Sequence, residues 1–314
     1  MNPFDAFLAV DTSAYTTSVA VVSEEGIVAD SREVLFVPKG SRGLRQSDAV
    51  FEHVRKLRVI FEQLKTDGYK IKAVAFSEKP CPTQGSYMPV FCVGASHAAA
   101  YASALGVCAY ALTHQHGHIY AAFFGHDIKD GEYAAFHVSG GTLDILRVRI
   151  YAGLITDIEP IGGTLDLTCG QLIDRVGVAA GLSFPAGAHM EKLYQNGSKK
   201  LAVHVKGLSA NLSGAETQAM RRLEQGEDSA LVCSSVIDCV SETLVRLIRN
   251  TYQISGIRSF LFTGGVICNT IIRENIQKEC VQRSLDFVFA QRALCSDNAC
   301  GLALAAARLH KKGE

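Results

Sequence analysis

Tyr133-Ala134-Ala135-Phe136-His137-Val138-Ser139-Gly140-Gly141-Thr142-Leu143-Asp144-Ile145-Leu146 reads as a strand, a tight turn and a returning strand. A glycine turn between strands exposes several backbone N–H groups to a common point, a nest suited to phosphate. A plain hairpin is the ordinary alternative. The stretch has a counterpart near the start of the chain. There Phe7-Leu8-Ala9-Val10 is a buried strand ended by Asp11, a hydroxyl-rich turn follows over Thr12 to Thr17, and Ser18 to Val22 returns. A third unit differs: strand Phe260-Leu261-Phe262-Thr263 enters Gly264-Gly265-Val266 and a helix from Asn269 to Glu279. Two strand-turn-strand units and one strand-Gly-Gly-helix unit are the repeat that organises the chain.

Between them the pattern is mixed α/β. Asp48 to about Thr66 has helical spacing, with Val50, Val54, Leu57, Ile60, Phe61 and Leu64 expected inside. Ala73-Val74-Ala75-Phe76 is a strand, and Pro80, Pro82 and Pro89 stiffen the loop after it. Phe91 to Leu105 is a helix of mostly small residues, suited to very close packing. The short apolar run Cys108 to Leu112 then leads into Thr113-His114-Gln115-His116-Gly117-His118. With Thr113 as N-cap, His114 and His118 fall at i and i+4 on one helical face, where two imidazoles can hold one metal ion. His116 points elsewhere. A histidine-rich helix start without metal is the plainer reading. Further on, helices are expected over Asp166 to Ala180 and Asp228 to Gln253. Leu208 to Gly214 reads as an edge strand entering a helix, and Ser296 caps a last helix opening with Asp297-Asn298.

The 314 residues suit two domains, and 48% hydrophobic residues suit sizeable cores. Formal net charge is zero, so any RNA contact must use local patches or a partner subunit. Lys39, Arg42, Arg45 and Lys199-Lys200 are thin candidates, each as readily a solvated loop. No apolar run reaches the roughly 18–20 residues of a membrane span. Met1 to Asp5 lacks the features of a signal peptide, and ten cysteines form no Cys-x-x-Cys pair. These features lead us to expect a cytoplasmic protein with no membrane partner.

The three turns, in this order, resemble the actin-like ATPase superfamily. In detail the chain resembles the TsaD-type tRNA N6-adenosine threonylcarbamoyltransferases, the Kae1-like family formerly called O-sialoglycoprotein endopeptidases. The resemblance runs from Phe7 to about Leu309. It is carried by Val10-Asp11-Thr12-Ser13, His114 with His118, Val138 to Gly141, Gly170 with Asp174, Phe184-Pro185-Ala186-Gly187, Gly264-Gly265-Val266 with Asn269, and Ser296-Asp297-Asn298. It implies an actin-like ATPase (ASKHA) fold of two lobes, each a mixed β-sheet flanked by helices. The expected division is 1–111 and 112–314, with a nucleotide cleft between. It implies one divalent metal, iron or zinc, on His114, His118 and Asp297. It also implies an adenylate substrate contacted by His137, Val138, Ser139, Gly140, Gly141, Asp174, Gly187 and Asn269.

The chain departs from that pattern where the family carries an acidic pair in its first loop. Tyr15 and Thr16 stand there, and neither is a carboxylate base. Thr142 replaces a histidine, Ala186 a glycine, and Cys81 to Tyr87 a Gly-Pro-Gly stretch. Asp11 is the remaining loop carboxylate and the expected catalytic substitute. The pattern is that of a divergent paralogue. The implied reaction is transfer of threonylcarbamoyl from its AMP anhydride to N6 of adenosine 37 in tRNA, with companion subunits. One alternative is a carbamoyltransferase acting on another acceptor. Another is a non-catalytic nucleotide-binding partner of the true transferase, and the 91–105 helix is then either a homo- or heterodimer face or an interior helix. Metalloprotease chemistry is excluded, since no Glu stands between His114 and His118 in a His-Glu-x-x-His arrangement.

Overall fold

The computed structural model describes residues 4–13, 15–36 and 44–313; Lys39 and Arg42 lie outside them. Phe4–Thr12 (β1) is buried without interruption from Ala6 onward, as a central strand covered on both faces must be. β1 pairs antiparallel with Thr16–Ser23 (β2) and parallel with Tyr69–Lys79 (β4). Gly26–Val34 (β3) extends one side antiparallel to β2, and Cys108–Thr113 (β5) the other side parallel to β4, giving the order β3-β2-β1-β4-β5. Gln46–Gln63 (α1) and Val90–Leu105 (α2) follow β3 and β4.

α1 turns the expected face inward except at Val54, with Val50, Phe61 and Leu64 partly buried against the core. Its buried residues are Ala49, His53, Leu57 and Ile60, while Val54 is 44% exposed. The polar His53 goes inside because its Nδ1 meets Thr17 Oγ1 at 2.8 Å. Burial pushes its pKa down to about 4, so it packs as a neutral ring. α2 packs closely as anticipated, with Thr12 Oγ1 accepting from Gly94 N–H at 3.0 Å and donating to Val90 O at 2.8 Å.

The second sheet comprises Gly131–Val138 (β6), Leu143–Tyr151 (β7), Leu154–Thr164 (β8), His204–Lys206 (β9), Ser209–Asn211 (β10), Ser259–Thr263 (β11) and Asp286–Phe289 (β12), in the order β12-β11-β6-β7-β8-β10-β9. β9, not β10, is the edge. Read from β8, the run β8-β7-β6-β11-β12 repeats the first sheet's order. In both, a central strand pairs antiparallel with its successor and parallel with a later strand. The hairpins Asp11–Thr17 and Ser139–Thr142 therefore occupy the same topological slot.

His114–Ala122 (α3), Cys169–Ala179 (α4), Gly187–Lys192 (α5), Ser213–Glu224 (α6), Ser229–Ser255 (α7), Thr270–Gln282 (α8) and Cys300–Gly313 (α9) complete the chain. Two compact units result: Met1–Ile128 with Ala152–Leu154 and Asp297–Glu314, and Lys129–Tyr151 with Ile155–Ser296. This differs from the expected division at 111/112. α3 stays with the first unit, and α9 returns to it to pack on α3, β1, β2 and β4. The second unit's core joins Phe136, Phe260 and Phe262 to the inner faces of α4, α6, α7 and α8. Among the described residues no helix is long and apolar enough to cross a membrane.

Candidate functional site

The first constellation begins where β5 becomes α3. Thr113 is extended, and its Oγ1 accepts the His116 backbone N–H at 3.3 Å, while His116 Nδ1 accepts the Thr113 N–H at 3.3 Å. This reciprocal cap occupies the third histidine. Burial, with Lys79 nearby, pushes the His116 pKa down to about 4 and keeps the ring a neutral acceptor. His114 and His118 are thereby left on one face, with Nε2 atoms 3.0 Å apart.

Asp297 comes from the segment just before α9, which starts later than expected. Asn298 Oδ1, rather than Ser296, accepts the Cys300 N–H at 2.9 Å, so Asp297 lies outside the helix. It reaches the histidines because α9 crosses α3 at glycines. A Cβ on Gly301 would stand 1.9 Å from Gly117 O, a position no side chain can take. Asp297 Oδ1 lies 3.6 Å from His114 Nε2 and 3.4 Å from His118 Nε2, and the three donor groups fall within 4.8 Å of one another.

Two ligands at about 2.1 Å from one tetrahedral ion stand about 3.4 Å apart. The observed edges of 3.0, 3.4 and 3.6 Å match such a ligand face. Two imidazole nitrogens and one carboxylate oxygen suit zinc or iron(II). Burial opposes charge on all three groups, but His114 and His118 hold Asp297 well below the usual carboxylate range. Asp11 and Asp297 outweigh burial at His114 and raise it; burial and the neighbouring His114 lower His118.

Asp11, expected as the catalytic carboxylate, sits behind this face. It is 1% exposed; Oδ1 accepts from Ser77 Oγ at 2.5 Å and Oδ2 meets His114 Nδ1 at 2.7 Å. Sealed and doubly bonded, it is not placed to take a proton from a substrate.

The second constellation lies in the second unit. In the Ser139–Thr142 turn, Ser139 N–H donates to Thr142 O at 2.8 Å and Gly141 N–H leans on Ser139 Oγ at 3.3 Å. Gly140 and Gly141 are exposed. The nest is therefore smaller than expected, because the Ser139 donor closes the turn and the Gly141 donor meets Ser139 Oγ. α4 abuts this turn: Thr168 Oγ1 donates to Gly140 O at 2.9 Å, and a Cβ on Gly170 would lie 2.4 Å from Gly140 Cα. One helical turn on, Asp174 Oδ1 accepts the Ala186 N–H at 2.8 Å, fixing the Phe184–Gly187 loop. Burial raises the Asp174 pKa against that bond. Gly187 opens α5.

Thr263 pairs with His137, so the Gly264–Asn269 segment leaves the sheet beside the same turn. Asn269 caps α8 through Ile272 N–H at 3.1 Å. Glu191 Oε1, at the end of α5, accepts the Thr270 N–H at 2.9 Å. His137 and Val138 are strand residues, 5% and 0% exposed, so their contribution is through the turn they deliver. A cavity of about 500 Å³ lies elsewhere in this unit, between α7, α8 and Tyr194 to Val203; Lys200 lines it, and none of the candidate metal or nucleotide residues does.

Two sheets of one strand order define an α/β protein of the actin-like ATPase type, with a His₂Asp donor set in one unit and a glycine hairpin beside two helix starts in the other. The fold is shared with full-length HypF in its phosphate- and nucleotide-bound form (TM-score 0.62, 11% identity, 100% of this chain and 57% of that one). It is also shared with a ROK family glucokinase from Streptomyces griseus (TM-score 0.53, 12% identity, 98% and 100%).

The chain belongs to the TsaD family of tRNA N6-adenosine threonylcarbamoyltransferases, whose model matches residues 47–304. It is 28% identical to the tRNA N6-adenosine threonylcarbamoyltransferase of Thermococcus sibiricus, covering 98% of this chain and 92% of that protein. The Neorickettsia sennetsu protein of the same description is also 28% identical, over 98% and 94%. A probable bifunctional tRNA threonylcarbamoyladenosine biosynthesis protein of Thermoplasma volcanium matches at 28%, over 98% of this chain and 56% of its own length.

Proposed function

We propose that this protein transfers the threonylcarbamoyl group from threonylcarbamoyl-AMP to N6 of adenosine 37 in tRNA. The observation that carries the reading is the convergence of His114, His118 and Asp297, residues up to 183 positions apart (297 − 114), on one ligand face. Zinc or iron(II) held there would supply Lewis-acid neutralisation of charge on the adenylate. The protein's own part is positional. The Gly140-Gly141 turn offers backbone N–H groups to the phosphate that leaves as AMP. The N-terminus of α8 adds its dipole, and Asp174 and Gly187 border the nucleoside. An exocyclic amine is a weak nucleophile, so holding it in line contributes more than removing its proton. That accommodates Tyr15 and Thr16 where relatives carry acids.

The acceptor is tRNA brought with companion subunits, since the net charge is zero and the chain carries no excess of cations to hold RNA alone. α2 buries Val90, Phe91, Val93, Gly94, Ala98 and Ala102 and exposes Ser96, Ala99, Ala100 and Ser103, the face we assign to a homo- or heterodimer. A cytoplasmic location fits this substrate. No observation favours the carbamoyltransferase or non-catalytic alternatives.

The test is to incubate metal-loaded protein with synthetic threonylcarbamoyl-AMP and unmodified tRNA, with and without companion proteins. The reading predicts AMP release and a modified adenosine by mass spectrometry, both lost in His118→Ala. Tight AMP binding without turnover in any mixture would overturn it in favour of a partner role.

A further inference from the structure

The β1–β2 hairpin occupies the place where catalytic carboxylates are expected, yet its polar side chains face the backs of the metal ligands. Side chains alternate along a strand, so Asp11 and Ser13 share one face and Thr12 takes the other. Thr12 is spent on α2. Asp11 meets His114 on the Nδ1 side, away from the Nε2 that faces His118 and Asp297. A carboxylate on Nδ1 keeps the proton there and leaves the Nε2 lone pair for an ion. Ser77 holds the second oxygen of Asp11, so the carboxylate cannot swing. On the other side, Ser13 Oγ donates to Asp297 Oδ2 at 2.7 Å, leaving Oδ1 as the oxygen nearest both imidazoles.

We infer that Asp11 and Ser13 are positioning residues for the metal centre, with Ser77 behind Asp11. The first hairpin thus serves this chain as a ligand brace rather than as a source of acid or base. The inference rests on the metal-centre reading above. It explains why Asp11 is kept buried and doubly bonded in a loop that has lost its other carboxylates. It also assigns two of the three ligands to supports two positions apart, at the end of β1 and just beyond it.

The experiment uses full-length protein stripped with a chelator. Zn²⁺ is titrated in competition with a chromogenic chelator, and Co²⁺ is added separately to read ligand geometry from its visible absorption. Variants are Asp11→Asn, Ser77→Ala and Ser13→Ala, with His118→Ala as ligand control. Wild type should bind one ion and His118→Ala none. Asp11→Asn can offer its amide to Nδ1 and so favour the wrong tautomer. It should bind about 10–100-fold more weakly, with an altered Co²⁺ spectrum. Ser13→Ala and Ser77→Ala, which remove one hydroxyl each, should weaken binding by up to about tenfold while the stripped proteins melt close to wild type. Zn²⁺ affinity and Co²⁺ spectra unchanged in all three would overturn the brace while leaving the metal centre standing. A wild type that binds no ion would overturn both.

Discussion

The hairpin between β1 and β2 and the hairpin between β6 and β7 stand at equivalent points of two sheets with one strand order, and they work differently. The first presents side chains: Asp11 and Ser13 are 1% and 3% exposed and bonded to His114 and Asp297. The second presents backbone: Gly140 and Gly141 are exposed, and α4 presses on the turn through Gly170. One slot in the fold thus carries two kinds of loop. A loop sealed under neighbouring strands and helices can orient imidazole and carboxylate ligands. A loop stripped of side chains can bring N–H groups close to an anion. The partition follows from burial, because a buried carboxylate needs fixed partners whereas an exposed glycine turn leaves room for a ligand.

The contrast can be broken by disturbing one unit and reading both. The largest effect is expected from Gly301→Val, whose Cβ falls on Gly117 O. It should destabilise the first unit by about 3 kcal/mol or more and abolish metal binding, while AMP affinity measured by calorimetry below the melting temperature stays within twofold. Next is Gly170→Ala, where the new methyl meets Gly140 Cα. AMP should bind about tenfold more weakly, roughly 1.4 kcal/mol, with metal content unchanged. Equal loss of metal in that variant would mean the two hairpins are not separable.

Smaller effects sharpen the comparison. Thr113→Ala removes the α3 cap and should cost about 1 kcal/mol in denaturant unfolding, with metal still bound. Asp166 belongs to neither hairpin. Burial works against its charge, but the Ser213 hydroxyl and the N–H groups of Leu212, Leu167 and Ser213 outweigh it and hold its pKa well below the usual carboxylate range. A folded pKa below the unfolded value of about 3.9 means its contribution is present above that pH and lost as pH falls below it. Asp166→Asn should therefore lower stability modestly at neutral pH, flatten the decline below about pH 4, and move neither ligand.

Much of this arrangement was legible in the residues. The i, i+4 histidines, the Thr113 cap and the strand-turn-strand repeat depend on short-range spacing, which a sequence displays directly. The two-unit division was not, because α9 is returned to the first unit by glycine contacts between residues 117 and 301. The inward turn of His53 was also hidden, since a helical wheel ranks histidine as polar and Thr17 lies 36 positions away. The role of His116 was missed for a related reason: its spacing after Thr113 matches a capping box, but histidine is not the Glu or Gln that marks one. Asp11 stands out in the sequence as the remaining carboxylate of its loop, yet a sequence gives no direction for its side chain. That direction comes from pairing β1 with β4 and β2, which seals Asp11 between Ser77 and His114.

The most direct check is elemental analysis of the purified protein, before and after chelation and reloading, alongside Asp297→Ala. The account predicts about one zinc or iron per wild-type chain, recovered on reloading, and none retained by the variant. A wild-type chain that takes up no stoichiometric metal, or an Asp297→Ala chain that holds it as tightly, would contradict it.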